Sequence, residues 1–143
     1  MPEYIFIDHP DSLQEGQIRQ MYLQEGWWDE RDERDDRDVH LIEKIVRGSH
    51  CFIVAREAGE IIGMGRAISD NAADAYIHDV AVRKNERGRG IATEIVTRLI
   101  ARLHADGITW IGLIAVEKSH RLYEKAGFAA LPGALPMLHR HSL

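Results

Sequence analysis

One run constrains this chain more than any other: Asp79-Val80-Ala81-Val82-Arg83-Lys84-Asn85-Glu86-Arg87-Gly88-Arg89-Gly90-Ile91-Ala92. After Asp79 it opens on the apolar Val80-Ala81-Val82, which reads as the end of a strand. Its middle is basic and glycine-rich, which reads as a turn. From Gly90 the period becomes helical: Ile91, Ile95, Leu99 and Leu103 recur every four residues, with Ala92, Val96 and Ile100 beside them. Glu94, Arg98 and Arg102 take the opposite face. A strand that passes through such a turn into a helix aims free backbone N–H groups at one spot. The helix dipole adds partial positive charge there, and glycines let a ligand approach the backbone. The junction suits a phosphate. It is neither a Walker loop nor a dinucleotide fingerprint, because Gly-Lys-Ser/Thr and Gly-x-Gly-x-x-Gly are both absent.

The rest of the chain builds around this junction. Tyr4 to Asp8 reads as a first strand. Ser12-Leu13-Gln14-Glu15 has capping-box spacing, and Ile18, Met21 and Tyr22 continue a helix that ends near Gly26. Leu41, Ile42, Ile45 and Val46 predict a second helix, stopped by Gly48. Cys51 to Glu57 and Ile61 to Ser69 predict a hairpin turning at Ala58-Gly59-Glu60. Ala75 to Val82 is the next strand, and the helix from Gly90 ends at Gly107. Ile108 to Ala115 reads as a strand, Ser119 to Ala126 as a helix closed by Gly127, and Phe128 as the start of another strand. Pro132-Gly133 is a turn, and Pro136 to Arg140 reads as a last edge strand. These elements predict one α/β (α+β) domain over residues 1–143. Its mixed sheet would hold six to seven strands, with about four helices on both faces.

Charge and composition remove several function classes. The net charge is −5, which disfavours non-specific nucleic-acid binding. Seven acids and three arginines fill Asp29 to Asp38, whereas Arg83, Lys84, Arg87 and Arg89 face only Glu86 within their turn. A compact basic spot on an acidic protein points to a small anionic ligand. No apolar run approaches membrane-spanning length, and the N-terminus lacks a signal-peptide pattern. A cytoplasmic location and no membrane partner are therefore expected. Cys51 is the only cysteine and reads as a core residue. His139 and His141 have no acid or cysteine grouped with them, so no metal is expected.

Arg87-x-x-Gly90-x-Ala92 matches the Arg/Gln-x-x-Gly-x-Gly/Ala signature of the GNAT N-acetyltransferases. Asp79-Val80-Ala81-Val82 resembles that family's cofactor-contacting strand, and Tyr123-Glu124-Lys125-Ala126-Gly127-Phe128 resembles its Tyr-x-x-x-Gly-Phe segment. The resemblance covers about residues 51–131 and implies the GNAT fold with acetyl-CoA as co-substrate. It implies backbone contacts from Val80, Ala81 and Val82 to the pantetheine arm, with Val80 N–H polarising the thioester carbonyl. Arg87, Gly88, Arg89, Gly90, Ile91, Ala92 and Thr93 would hold the pyrophosphate, Arg83 or Lys84 an outlying phosphate, and Ser119 or His120 would touch the cofactor. The central strands would splay here. Tyr123 would be the general acid. One departure is Val116, seven residues before Tyr123, where related sequences often carry asparagine.

Three alternatives stand for the base: His78, which titrates near neutrality, Asp79, whose pKa would have to rise, or a chain of waters. His78 and Asp79 would face opposite ways in a regular strand, unless a bulge intervenes. The expected reaction is acetyl transfer to a primary amine, on a small molecule. A peptide or protein acceptor, or a non-catalytic acyl-CoA-binding module, are the alternatives. Trp27-Trp28 and Tyr22 are either an aromatic wall for the acceptor or a hydrophobic anchor. A homodimer through the last edge strand is a further expectation.

Overall fold

The computed structural model describes residues 1–28, 40–116 and 118–139. The acidic run from Asp29 to Asp38 lies outside the described residues, as do Arg140 and His141. Five strands form one sheet in sequence order: β1 (Glu3–Phe6), β2 (Cys51–Glu57), β3 (Glu60–Ser69), β4 (Asp74–Val82) and β5 (Trp110–Gly112). The first four pair antiparallel, and β4 pairs parallel with β5. Among the described residues the α-helices are α1 (Ser12–Gln24), α2 (Leu41–Gly48), α3 (Ile91–Ala105) and α4 (His120–Lys125).

The alternation of β2 sorts the core into two layers. Cys51, Ile53 and Ala55 point to one face, where Ile91, Ile95, Leu99 and Leu103 of α3 cover them. Phe52 and Val54 point to the other, under Ile18, Met21 and Tyr22 of α1 and Ile42 and Val46 of α2. The four-residue apolar spacing of α3 is thus the face it buries, with Ile95, Leu99 and Leu103 fully enclosed. Each such side chain contributes about 1.5–3 kcal/mol by leaving water.

Local chemistry sets the element ends. Ala58 and Gly59 both have positive φ, 52° and 78°, so β2 and β3 are joined by the two-residue turn that matches strand twist. The α1 box is shifted from the expected position: Asp11 caps, its carboxylate accepting from Gln14 N while Gln14 Oε1 accepts from Asp11 N. Helix α3 closes with Gly107 at φ 82°, Ile108 N donating to Leu103 O and Gly107 N to His104 O. That paired wrap needs a left-handed residue.

The second half corrects the expected strand count. The strand expected over Ile108 to Ala115 shortens to Trp110–Gly112. Phe128 does not begin a strand, and residues 136–139 are not a last edge strand, so the described residues hold five strands rather than six or seven. The physical reason is twofold. Pro132 and Pro136 cannot donate to a ladder, and a three-residue β5 offers a partner strand little to pair with.

Candidate active site

Strand β4 carries a bulge where the site begins. Met64 pairs with Ala81 and Arg66 with His78, so Gly65 alone opposes Asp79 and Val80. Asp79 takes φ 56°, a left-handed conformation that costs a non-glycine residue free energy. Its carboxylate supplies the compensation. Tyr22 Oη of α1 donates to Asp79 Oδ2 at 2.8 Å, and Arg66 Nε of β3 donates to the same oxygen at 2.7 Å. Arg66 Nη1 also reaches Ser49 Oγ at 3.4 Å. Burial, and then the Asp79 charge, push the Tyr22 phenol well above its ordinary pKa, so it stays a donor. The bulge also spoils the alternation that would separate His78 from Asp79. His78 Nδ1 lies 3.9 Å from Asp79 Oδ1, and both residues line one cleft.

The cleft follows from how β4 and β5 part. Their ladder joins Asp74 to Trp110, Ala75 to Ile111 and Tyr76 to Gly112, and it ends there. Beyond it, Ile77 to Val82 line one wall, and Ile114, Val116, Ser119, Leu122 and Tyr123 line the other. The space between them is about 960 Å³, the upper end of what small-molecule sites enclose.

The floor at one end is the glycine turn and the start of α3. Gly90 caps α3 with φ 78° and no side-chain hydrogen bond, and Gly88 has φ 81°. A Cβ at either glycine would meet nothing within 4 Å, so both open onto free space. Ile91, Ala92 and Thr93, the first turn of α3, line the cleft beside them. A helix start of this kind leaves N–H groups without intrahelical partners and about half a positive charge, which suits an anion.

The turn's cations are mostly occupied. Arg83 pairs with Glu60 at 2.8 Å. Arg89 pairs with Glu57 and Glu86 and does not line the cleft. Arg87 does line it, but its Nη2 is 2.9 Å from Glu25 Oε1 and its Nε is 3.3 Å from Val82 O. Surface pairs of this kind are worth about 0–1 kcal/mol, so an incoming phosphate can take Arg87 from Glu25 at small cost. Glu25 lines the cleft too, and no local pattern marks it, since it lies 62 positions from Arg87.

Tyr123 sits on the far wall. Gly127, at φ 98°, reverses the chain after α4, with Phe128 N donating to Tyr123 O and Gly127 N to Glu124 O, both at 3.0 Å. This wrap brings Phe128 edge-on to Tyr123, ring centroids 6.0 Å apart. The Gly-Phe of the Tyr-x-x-x-Gly-Phe segment is therefore a helix cap with its hydrophobic contact, and it fixes the ring of Tyr123. The phenol has no hydrogen-bond partner among the described residues, and burial raises its pKa. Ser119 lines the cleft while donating to Val116 O at 2.7 Å. His120 does not line it. Trp27 does, edge-on to Tyr22, whereas Trp28 stacks on Tyr22 and joins the core. Among the described residues no group of three His, Cys, Asp or Glu is placed to hold a metal, and no helix is long and apolar enough to cross a membrane.

The model of the acetyltransferase (GNAT) family matches residues 13–128. The chain belongs to the GNAT acetyltransferase family. It is 26% identical over 123 residues to serotonin N-acetyltransferase 2, chloroplastic, of Oryza sativa subsp. japonica, covering 86% of this chain and 60% of the rice protein. It is 37% identical over 87 residues to the histone acetyltransferase TAP1 of Glycine max, covering 61% of this chain and 37% of the soybean protein. The chain thus spans less than two thirds of the length of these relatives. A predicted acetyltransferase from Clostridium acetobutylicum, solved with acetyl-CoA, shares the GNAT fold with TM-score 0.74 and 23% identity, over 99% of this chain and 100% of that one. A probable acetyltransferase from meticillin-resistant Staphylococcus aureus aligns with TM-score 0.78 and 19% identity, over 99% and 100% of the two chains.

Proposed function

We propose that this GNAT chain transfers the acetyl group of acetyl-CoA to a primary amine of a small molecule. The observation that carries the reading is the parting of β4 from β5 beyond Tyr76 and Gly112, which opens a slot from the anion cradle of α3 to His78 and Tyr123. The residues fit acetyl-CoA. Gly88 and Gly90 leave open space above the N–H groups of α3, as a pyrophosphate needs. The edge of β4 from Ile77 to Val82 runs along the slot, where a pantetheine arm can lie like an added strand.

Acetyl-CoA supplies an activated acyl group as a thioester. Val80 lines the slot just past the bulge at Asp79, and its N–H is the donor we assign to the thioester carbonyl. His78 takes the proton from the acceptor ammonium. It is half exposed at the cleft and carries no hydrogen bond among the described residues, whereas Asp79 Oδ2 already accepts from two donors. Asp79 is a positioning residue in this reading. Tyr123 gives its proton to the departing thiolate, a role that suits a phenol kept protonated by burial. The amine attacks directly, so one C–N bond forms as one C–S bond breaks.

A peptide or protein acceptor is the second reading, favoured by the kinship with a soybean protein named as a histone acetyltransferase. Calorimetric titration with acetyl-CoA, repeated on Gly90→Trp, tests the site. Binding should be micromolar and lost in the variant, since any side chain at φ 78° is strained and enters the cradle. Thiol release against small amines and lysine peptides then separates the two acceptors. Absence of acetyl-CoA binding to the unaltered chain overturns the assignment.

A further inference from the structure

An apolar platform lies on adjacent strands next to the slot and joins neither core layer. Ile68, Tyr76 and Trp110 are 40%, 45% and 44% exposed, high for large apolar side chains in three adjacent strands. They are contiguous through the ladder. Ile68 pairs directly with Tyr76, and Tyr76 pairs with Gly112. Gly112 has no side chain to lift Trp110 away, and a Cβ there would meet Trp110 Cη2 and Cζ3 at 2.8 Å. The indole therefore folds over the glycine and meets the Tyr76 ring edge-on, with centroids 5.3 Å apart.

The platform is continuous with the chemistry. Tyr76 and His78 are two apart in a regularly alternating stretch of β4, so they share the sheet face that also carries Arg66. Tyr76 is also the last β4 residue paired to β5, and the next residue, Ile77, already lines the slot, so the platform adjoins the slot's end without lining it. Two strand residues span roughly 7 Å. A two- or three-carbon tether between a ring and an amine covers that distance.

We infer that the Ile68–Tyr76–Trp110 platform is the acceptor subsite, and that the acceptor is a primary amine on a short tether from a planar aromatic body. The ring lies against Tyr76 and Trp110 while the nitrogen reaches His78. This deepens the proposed acetyl transfer and rests on it. The alternative cover for such a patch is a second copy of the chain, and the test separates the two.

The full chain, saturated with CoA, is titrated with 2-phenylethylamine and with n-butylamine. Both are single cations, so they differ in the ring. Phenylethylamine should bind about tenfold more tightly, as one or two well-placed aromatic contacts allow. Trp110→Ser and Tyr76→Ser should each remove most of that preference, with CoA affinity and melting temperature serving as the controls for folding. Equal binding of the two amines to the unaltered chain overturns the inference, as does a preference that survives both variants. A dimer that both variants convert to monomer, seen by light scattering, overturns it in favour of self-association. If CoA itself fails to bind, the transferase reading falls, and the same amine pair titrated without CoA still decides the platform.

Discussion

The Asp79 bulge should be the most sensitive structural point of the site, and Arg66→Met is the perturbation that exposes it. Arg66 and Asp79 are 17% and 19% exposed and 2.7 Å apart. Removing one partner of a buried pair costs about 3–5 kcal/mol because the other charge is stranded, whereas an exposed pair is worth about 0–1 kcal/mol. This pair lies near the buried limit but retains some solvent, so about 3 kcal/mol is expected. For a chain of this size that lowers the melting temperature by roughly 6–12 °C. Tyr22→Phe removes one O–H bond to a carboxylate without leaving a large void, and about 1.5–2 kcal/mol is expected. The two losses converge on one oxygen, so a double-mutant cycle between Tyr22→Phe and Asp79→Asn should show coupling of about 1–2 kcal/mol. Urea denaturation reads all of these. In thiol-release kinetics Arg66→Met should also lower kcat/KM by about tenfold to a hundredfold, since a shift of about 1 Å in Val80 and His78 has that effect. A loss below 1 kcal/mol, or an additive cycle, would refute the argument that this clamp stabilises the left-handed Asp79.

Three further outcomes are expected. Tyr123→Phe should lower kcat by about a hundredfold or more in steady-state kinetics while acetyl-CoA affinity by calorimetry stays put, as loss of a general acid requires. Gly65→Ala should destabilise by about 1–3 kcal/mol in urea melts, because its Cβ would lie 2.7 Å from Ile95 Cγ2 and 3.2 Å from Leu99 Cδ1, in a layer with no slack. The hydrogen bond from His50, and then that from Arg102, hold the Asp106 carboxyl below its ordinary value of 3.8. A depressed carboxylate stabilises above its unfolded pKa and loses that contribution as pH falls through the folded value. The melting-temperature gap between the unaltered chain and Asp106→Asn should therefore hold steady near neutrality and close below about pH 4, and a gap that widened in acid would contradict the assignment.

Much of this molecule was legible along the chain because the signals are short-ranged. The apolar spacing from Ile91 to Leu103 is the buried face of α3, and Gly107 and Gly127 sit where left-handed caps are needed. Ala58-Gly59 marks the hairpin, and Gly88 and Gly90 mark the open left-handed turn before α3. Each depends on backbone preferences within a few residues, so composition and spacing suffice. The ends of β5 were not legible, because strand length depends on what a neighbouring strand can pair with.

What tertiary structure alone decided is the disposition of charge and the face of each catalytic candidate. Nothing local links Tyr22 to Asp79 across 57 positions, or Glu25 to Arg87 across 62. Sequence spacing assigns the turn a free basic cluster, but folding brings Glu25, Glu57 and Glu60 against three of its arginines. In the proposed reading, the pyrophosphate would then be held by backbone N–H groups more than by side-chain charge. Likewise, period-two alternation would separate His78 from Asp79, and only the bulge, stabilised from α1 and β3, brings them into one cleft. Helical and turn preferences belong to a segment and can be read from it, whereas an ion pair or a bulge exists because two distant segments meet.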